Sequence, residues 1–448
     1  MVHSYQDCAF MRFYSSPNAL HALPSHLLTS NDPPTDVEVV QVVRDVVDRL
    51  NASVVALDAS IAGADAEHLL EQLRNMRKHA IEAIRRGRAI LSVIRRLPSD
   101  ILAEIFAYTV PDLVLRHRRV TDTSPWVYGR VCSRWRTLST SLPTLWSHIE
   151  PYLPVPLLMT QLDLAKGCGL TIRLIYSETE AVDPLIACCR RWETVDIQMG
   201  VKTLAILERV HGKLPMLRDL KCSDSTGVGF CAAFEIAPNL SSATIVGKAS
   251  LRLPWPQLAR LSQRIPQIEG LSQLGSACNL VELSLTNSVP LSLALARTDG
   301  LSELILKFPL LRRLYIEDGE FLDFLVLPAL EDLHISRHAM SLISLIDRSS
   351  CSLQKIISFD SEVDVIPIFV GAPTLHEIRL VVRSDPDLER LLSYLTIHSD
   401  SDIDFRPPCP ELRAFAVYRD LNEHQSMLLA HMVESRLRSR ACSNLIIV

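Results

Sequence analysis

The segment Pro309-Leu310-Leu311-Arg312-Arg313-Leu314-Tyr315-Ile316 gives the clearest copy of a pattern that recurs through the C-terminal part of the chain. The pattern is a proline (a cysteine in two weaker copies), then a leucine two residues later, then further apolar residues at short, regular spacing. The first leucines of the copies are Leu217, Leu240, Leu258, Leu280, Leu311, Leu330, Leu353, Leu375 and Leu412. This recurrence predicts that roughly 200 residues are built from similar structural units.

Each copy predicts one short β-strand, because its apolar residues alternate with polar ones. Alternate side chains of a strand point to opposite faces, so the leucines should face a shared core. One unit cannot bury its leucines alone, and neighbouring units must therefore stack. Strand-like segments at residues 170–176 and 192–199 are predicted to begin the array. The alternative is a compact α/β domain in which Pro-x-Leu marks ordinary turns before strands.

The spacing resembles that of leucine-rich repeats, whose period is about 20–29 residues. The asparagine that follows the last apolar position in regular repeats is missing here, so the resemblance implies an irregular α/β solenoid over residues 150–448. Its concave sheet face is predicted to bind a protein target, because tyrosine, arginine and mixed charges are typical of protein interfaces. Strand alternation places these candidate target-binding residues on that face: Arg313, Tyr315, Glu317, Asp332, His334, Glu377, Arg379 and Tyr418.

A second ordered set of motifs occupies residues 97–149. A Leu-Pro pair precedes an apolar stripe at helical spacing, which predicts a helix that begins near Pro98. A Val-Cys-x-x-Trp segment predicts a second helix, from about Pro125 to Leu138, and a Pro-x-Leu-Trp segment closes the set at Trp146. Two short apolar helices cannot bury all of their apolar surface against each other. Some of it must meet another part of the chain or another protein.

The order of these motifs resembles the F-box, the adaptor-binding module of ubiquitin-ligase substrate receptors. The resemblance implies a three-helix module that docks on the Skp-type adaptor of a cullin ligase. The implied adaptor-binding residues are Leu97, Pro98, Ile101, Leu102, Ile105, Phe106, Val131, Cys132 and Trp135. The segment from Ala107 to Tyr128 is longer than in the compact form of the module. An ordinary helical hairpin inside a larger core is the alternative interpretation.

Residues 1–34 are predicted to be a poorly ordered arm, because they end in Asn31-Asp32-Pro33-Pro34. Thr35-Asp36-Val37-Glu38 then has the form of a helix-capping box, and an amphipathic run follows it up to Gly63. A second amphipathic run leads to residue 96. The two runs predict a helical hairpin or a short coiled coil over residues 35–96, and their drift from a strict heptad favours the hairpin.

Composition excludes several classes of protein. The net charge is -5, whereas a general nucleic-acid binder needs a concentrated positive surface. The arginine clusters at residues 116–119 and 436–440 are too short to change this, and solvated faces or weak import signals explain them better. The eleven cysteines have no zinc-site spacing, which is typical of reduced thiols in an intracellular protein. No apolar stretch is long enough to span a membrane. We therefore expect a location in the cytoplasm, the nucleus or both.

No catalytic, metal-binding or cofactor motif is present in the sequence. His334 and His338 are spaced four apart, but at the end of a predicted strand. The chain is therefore expected to be an α+β multi-domain, non-catalytic substrate receptor of a Skp-cullin-F-box ligase, with no cofactor. Its expected partners are the adaptor, through it a cullin, and a protein target that the sequence does not identify. The alternative is a non-ligase interaction scaffold that uses the same repeat region.

Overall fold

A computed structural model describes residues 23–30, 33–34, 36–64, 66–109, 122–149, 153–174, 182–199, 206–224, 230–247, 250–265, 273–287, 305–337, 341–358, 366–382, 384–397, 408–438 and 446–447. Most of the predicted arm at residues 1–34, the arginine cluster at residues 116–119 and His338 lie outside these ranges. The chain is a mixed α/β protein with N-terminal helices and a C-terminal parallel sheet, which confirms the fold class at this level. It forms two compact units, Met1–His148 with Met159–Cys168, and Ile149–Leu158 with Gly169–Val448.

The helices are concentrated in the first unit and recur between the later strands. The α-helices are α1 (Ser25–Thr29), α2 (Val37–Ala62), α3 (Glu67–Ile90), α4 (Val93–Arg96), α5 (Ser99–Tyr108), α6 (Ser133–Ser141), α7 (Val155–Leu164), α8 (Val182–Ala187), α9 (Leu342–Ser349), α10 (Ile366–Gly371), α11 (Asp385–Leu395) and α12 (Glu423–Arg438). Short 3-10 helices cover Trp126–Arg130, Pro143–Trp146, Cys189–Arg191, Glu208–Val210, Trp255–Gln257 and Gly319–Phe324.

The strands follow one another through the C-terminal part of the chain. They are β1 (His148–Ile149), β2 (Leu170–Leu174), β3 (Trp192–Met199), β4 (Asp219–Asp224), β5 (Phe230–Cys231), β6 (Ser242–Gly247), β7 (Ser250–Leu251), β8 (Arg260–Ile265), β9 (Glu282–Asn287), β10 (Leu306–Lys307), β11 (Arg313–Asp318), β12 (Leu325–Val326), β13 (Asp332–Arg337), β14 (Lys355–Ser358), β15 (Glu377–Leu380), β16 (Ala414–Val417) and β17 (Ile446–Ile447).

Helices α2 and α3 form an antiparallel hairpin. The Asp36 carboxylate caps α2 by accepting a hydrogen bond from the Glu38 amide at 2.8 Å, and Gly63 follows its last turn. An ion pair joins Arg77 to Asp58 near the turn. Valine, leucine, isoleucine and alanine side chains of both helices and of α1 share one buried core. The amphipathic faces are thus buried against each other within a single chain.

Thirteen of the described strands form one large sheet, and its strand order follows the chain: β1, β2, β3, β4, β6, β8, β9, β11, β13, β14, β15, β16 and β17. From β2 onward the neighbouring strands pair in parallel. From β2 to β16, one inward position of each strand of this sheet continues directly into the next as a buried apolar ladder: Ile172, Val195, Leu220, Ala243, Leu261, Leu283, Leu314, Leu333, Ile356, Ile378 and Phe415. Burying each larger side chain contributes about 1.5–3 kcal/mol.

The first leucine of every copy of the sequence pattern lies two residues before a strand of the large sheet. All nine of these leucines are at most 1% exposed. In several copies, such as those at Leu311 and Leu330, the leucine amide donates to a carbonyl three residues earlier and closes a turn before the strand. The recurring leucine thus anchors the chain in the core just before each strand begins.

Gly247, the last residue of β6, is required by the backbone at that position. Its φ is 104°, and an added Cβ would lie 1.7 Å from the Asp224 carbonyl oxygen of the neighbouring strand. We expect Gly247→Ala to lower the free energy of unfolding by about 2–3 kcal/mol, measured by urea denaturation. Gly212 also has a positive φ, 70°, but nothing lies within 4 Å of an added Cβ. Gly212→Ala should therefore cost only about 1 kcal/mol, and equal losses in the two variants would contradict the backbone contact.

Candidate functional site

Helix α5 presents two different apolar faces. Leu102 and Phe106 are 0% and 1% exposed, whereas Ile101 and Ile105 are 45% and 37% exposed, and Tyr108 is 87% exposed. Residues four and then three apart lie on the same face of a helix, so Ile101, Ile105 and Tyr108 form one exposed apolar face. The stripe inferred from the sequence is therefore divided, with one half holding the module together and the other half facing solvent.

The turn that precedes α5 is held by an arginine from α6. The Arg134 guanidinium donates hydrogen bonds to the carbonyl oxygens of Arg95 at 2.9 Å and Leu97 at 2.6 Å. A longer contact of 3.4 Å reaches the Ser99 hydroxyl at the start of α5. Pro98 occupies the N-cap position of α5 and is exposed. Arg134 thus holds the backbone of the Leu-Pro turn in place, and the turn sets the direction of α5.

Aromatic side chains form the core under α5. The rings of Phe106 and Tyr128 stack with centroids 4.0 Å apart, and Trp135 meets Phe106 edge-on at 4.9 Å. A second edge-on pair joins Trp126 and Trp146 at 5.0 Å. Such pairs contribute about 0.5–1.5 kcal/mol each beyond area burial. The 97–149 segment therefore has an aromatic core of its own.

The second helix of this segment differs from the prediction. Instead of one helix from Pro125 to Leu138, a 3-10 helix ends at Arg130 and α6 begins at Ser133. Cys132 lies between them in an extended conformation, and its sulfur accepts a hydrogen bond from the Trp135 amide at 3.4 Å. The backbone break turns the aromatic side chains on both sides of it toward the same core.

The nine residues implied to bind the adaptor occupy three environments. Leu102 and Phe106 are buried; Leu97, Cys132 and Trp135 are half-buried; the other four, which are Pro98, Ile101, Ile105 and Val131, are exposed. The exposed residues are the most available to a partner, and the half-buried ones are partly available. Tyr108 is not one of these nine residues, although it is the most exposed large apolar residue of α5. Its spacing of three residues from Ile105 was the signal that could have indicated it.

The outward face of the large sheet carries a row of charged side chains whose sign alternates from β8 to β15, with one further aspartate on β4, beyond the neutral Ser242 of β6. We call it the charged row: Asp219, Arg260, Glu282, Arg313, Asp332, Lys355 and Glu377. Its ion pairs join Arg260 to Asp219 at 3.3 Å, Arg313 to Glu282 at 3.1 Å and Lys355 to Glu377 at 2.9 Å. Most of these charges are therefore compensated within the row itself.

Two residues further along the same strands lies a row of different chemistry. We call it the hydroxyl row, and its members, from β6 to β13, are Thr244, Ser262, Ser284, Tyr315 and His334. All five side chains are half-buried. The Tyr315 and His334 rings are in contact, with centroids 4.4 Å apart. The row combines small hydroxyl groups at one end with an aromatic pair at the other.

The structure brings together some of the eight candidate target-binding residues. Arg313 lies beside Asp332, and Tyr315 beside His334, on neighbouring strands. Glu377 and Arg379 lie two strands from β13, with β14 between. A hydrogen bond with Tyr418, followed in strength by the charge of Glu377, raises the pKa of the Arg379 guanidinium.

Glu317 is engaged with Arg337 at 3.4 Å, outside these groups. Sequence reasoning did not single out Thr244, Ser262 and Ser284. Each follows the first leucine of its copy by four residues, and this repeated position was the signal that could have found them.

The titration of His334, in the hydroxyl row, makes the stability of the fold depend on pH. Burial lowers the pKa of its imidazole from the ordinary value of 6.5, and Lys355 lowers it further; Asp332 and Glu377 oppose this shift, and Arg379 supports it. The unfolded chain therefore takes up a proton at a higher pH than the folded chain does. Stability should be lost as the pH falls from about 6.5 through the lowered pKa.

We expect His334→Gln to lose less stability than the wild type when urea denaturation is repeated at about pH 7.5 and about pH 5.5. Since the other histidines are the same in both proteins, the difference between the two losses isolates His334. An equal loss would contradict the lowered pKa.

Two buried thiols, Cys189 and Cys222, and the half-buried thiol Cys188 are poor nucleophiles. Burial raises the pKa of Cys222 to about 12 and also raises the pKa values of Cys188 and Cys189, so these side chains stay protonated at neutral pH. Within the part of the chain that the structure describes, no cluster of three His, Cys, Asp or Glu side chains is placed to hold a metal ion. No helix among the described residues is both long and apolar enough to cross a membrane.

No protein-family model matches this chain, and no curated protein matches it significantly.

Proposed function

We propose that this chain is the substrate-recognition subunit of a Skp-cullin-F-box type ubiquitin ligase. In this proposal residues 97–149 are the F-box module and dock on the Skp-type adaptor, while the C-terminal sheet region holds a protein target. The conjugating enzyme on the cullin supplies the chemistry, and the chain contributes proximity. It would then act in the cytoplasm, the nucleus or both.

The main support for the proposal is the exposed apolar face of α5. Three large side chains, Ile101, Ile105 and Tyr108, face solvent directly after the Leu-Pro turn that Arg134 holds in place. Exposed apolar residues at helical spacing beside a rigid core are typical of a helix that docks on a partner. The ordered F-box motifs of the sequence lie on and around this same helix.

The C-terminal region supports the second half of the proposal. We interpret it as an irregular leucine-rich-repeat-like solenoid, because strand order follows chain order and a buried leucine precedes each of nine strands. In solenoids every unit contacts only its neighbours, and the strand face forms an extended binding surface. Such a surface suits a receptor that must hold a protein while another subunit modifies it.

The decisive experiment is co-purification of the full chain with a Skp-type adaptor and a cullin. We expect Ile101→Asp combined with Ile105→Asp to abolish adaptor binding, because each buried apolar anchor contributes about 2 kcal/mol or more to such an interface. The measurement is a pull-down with quantified adaptor, together with circular dichroism to show that the variant is folded.

A matched control uses two exposed valines of α2, Val42 and Val55, which are 49% and 70% exposed. Val42→Asp with Val55→Asp also places two aspartates at exposed apolar positions of a helix in the same unit, and it should leave adaptor binding intact. Full binding by the α5 variant would refute docking through this face. Failure of the wild type to bind any adaptor would favour the non-ligase scaffold.

A further inference from the structure

The charged row and the hydroxyl row differ in how many of their polar groups have an ion-pair or hydrogen-bond partner. In the charged row, six of the seven side chains take part in ion pairs with each other. In the hydroxyl row, the hydroxyl groups of Thr244, Ser262 and Ser284 have no hydrogen-bond partner among the described residues. A half-buried hydroxyl can donate one hydrogen bond and accept others. Of these two rows, the hydroxyl row is therefore the one with more hydrogen-bonding groups still available to a partner.

The dimensions of the hydroxyl row suit a short extended segment. The row crosses five neighbouring strands, β6, β8, β9, β11 and β13. Neighbouring strands are about 4.8 Å apart, so the row is about 19 Å long. An extended polypeptide covers that distance with about six residues, at roughly 3.3 Å per residue. Its backbone would offer both N–H and C=O groups to the three small hydroxyls.

The charges on this face of the sheet disfavour the binding of a charged polypeptide segment. An acidic or basic segment on the hydroxyl row would meet both signs of charge in the neighbouring charged row, where most charges already have partners. Lys221 of β4, which lies beside Thr244, is likewise already paired, with Asp196 at 3.5 Å. Covering an ionised side chain there without a new partner is costly. His334 adds to this selectivity, because its lowered pKa favours the neutral imidazole.

We propose that the hydroxyl row binds an extended, uncharged polypeptide segment of about six residues that crosses the strands. Thr244, Ser262 and Ser284 hydrogen-bond its backbone, and the Tyr315–His334 pair packs against an apolar or aromatic side chain at one end. The proposal rests on the proposed function, in which this face holds the protein target, and it names the chemistry of the recognised segment.

The test uses a display library of random short peptides, panned on the purified full chain. We expect the selected peptides to carry little net charge and an aromatic or bulky apolar residue. Their affinity should change little when salt is raised from low to high concentration, because ion pairing contributes little. Ser262→Trp, which fills the middle one of the three small hydroxyl positions, and Tyr315→Ala should each weaken binding at least about tenfold.

Ser344→Trp is the matched control, since Ser344 is an exposed serine of α9 away from the sheet, and it should leave peptide affinity unchanged. Thermal melting checks that each variant is folded. Any of four results would overturn the proposal. The selected peptides could be strongly charged, their binding could be sensitive to salt, their binding could survive Ser262→Trp, or the library could yield no peptide at all. Adaptor co-purification is measured on the same proteins, so failure of the ligase function is seen separately from failure of peptide binding.

Discussion

Replacing Arg436 by methionine is expected to lower the free energy of unfolding by about 3 kcal/mol or more. Arg436 is 0% exposed, and its guanidinium donates hydrogen bonds to the carbonyl oxygens of Leu395 at 2.8 Å, Cys409 at 3.0 Å and Pro408 at 2.6 Å. Methionine keeps much of the aliphatic volume but has no donor, so three carbonyl groups lose a charged partner. Urea denaturation followed by circular dichroism measures the loss.

Arg438→Met provides the control on the same helix, α12. The Arg438 side chain is 77% exposed and pairs with Glu434 four residues earlier, a surface interaction worth about 0.3–0.5 kcal/mol. A similar small loss in both variants would show that the buried hydrogen bonds of Arg436 do not stabilise the C-terminal unit.

Phe106→Ala is expected to destabilise the first compact unit by about 3–5 kcal/mol. The Phe106 ring is 1% exposed and contacts both Tyr128 and Trp135, and removing it leaves a cavity among rigid aromatic side chains. Tryptophan fluorescence during denaturation reports the effect, because Trp126, Trp135 and Trp146 all lie in this unit.

The neighbouring aromatic residue Tyr108 gives the comparison. It lies on the same helix but is 87% exposed, so Tyr108→Ala should change stability by no more than about 0.5 kcal/mol. In the proposed function the same variant should weaken adaptor binding, because Tyr108 belongs to the exposed face. A stability loss equal to that of Phe106→Ala would contradict the assignment of the two faces.

Several features of the fold followed from local sequence alone. The α2–α3 hairpin was predicted from its capping residue, its apolar spacing and the glycine that ends α2, and the structure forms it from Val37 to Ile90. Each copy of the recurring pattern predicted one strand, and the structure forms a strand that begins two residues after the first leucine of each copy. These features depend on periodicity within a few residues, because one helix or strand face must be buried. The same periodicity placed Tyr315 and His334 on the outward face.

The tertiary structure decided what local sequence could not. The apolar residues of α5 gave no indication of which of them would be buried and which exposed. This depends on aromatic residues that lie more than twenty positions further along the chain, Tyr128 and Trp135. Arg436 belonged to a cluster predicted to be solvated, yet it is buried, because carbonyl groups distant in sequence converge around it. The ion pairing of the charged row and the open hydroxyls of the hydroxyl row depend on the register between strands. The sequence by itself determined which residues lie inside and outside each strand, whereas only the packing of distant segments determined which polar groups are paired and which remain available to a partner.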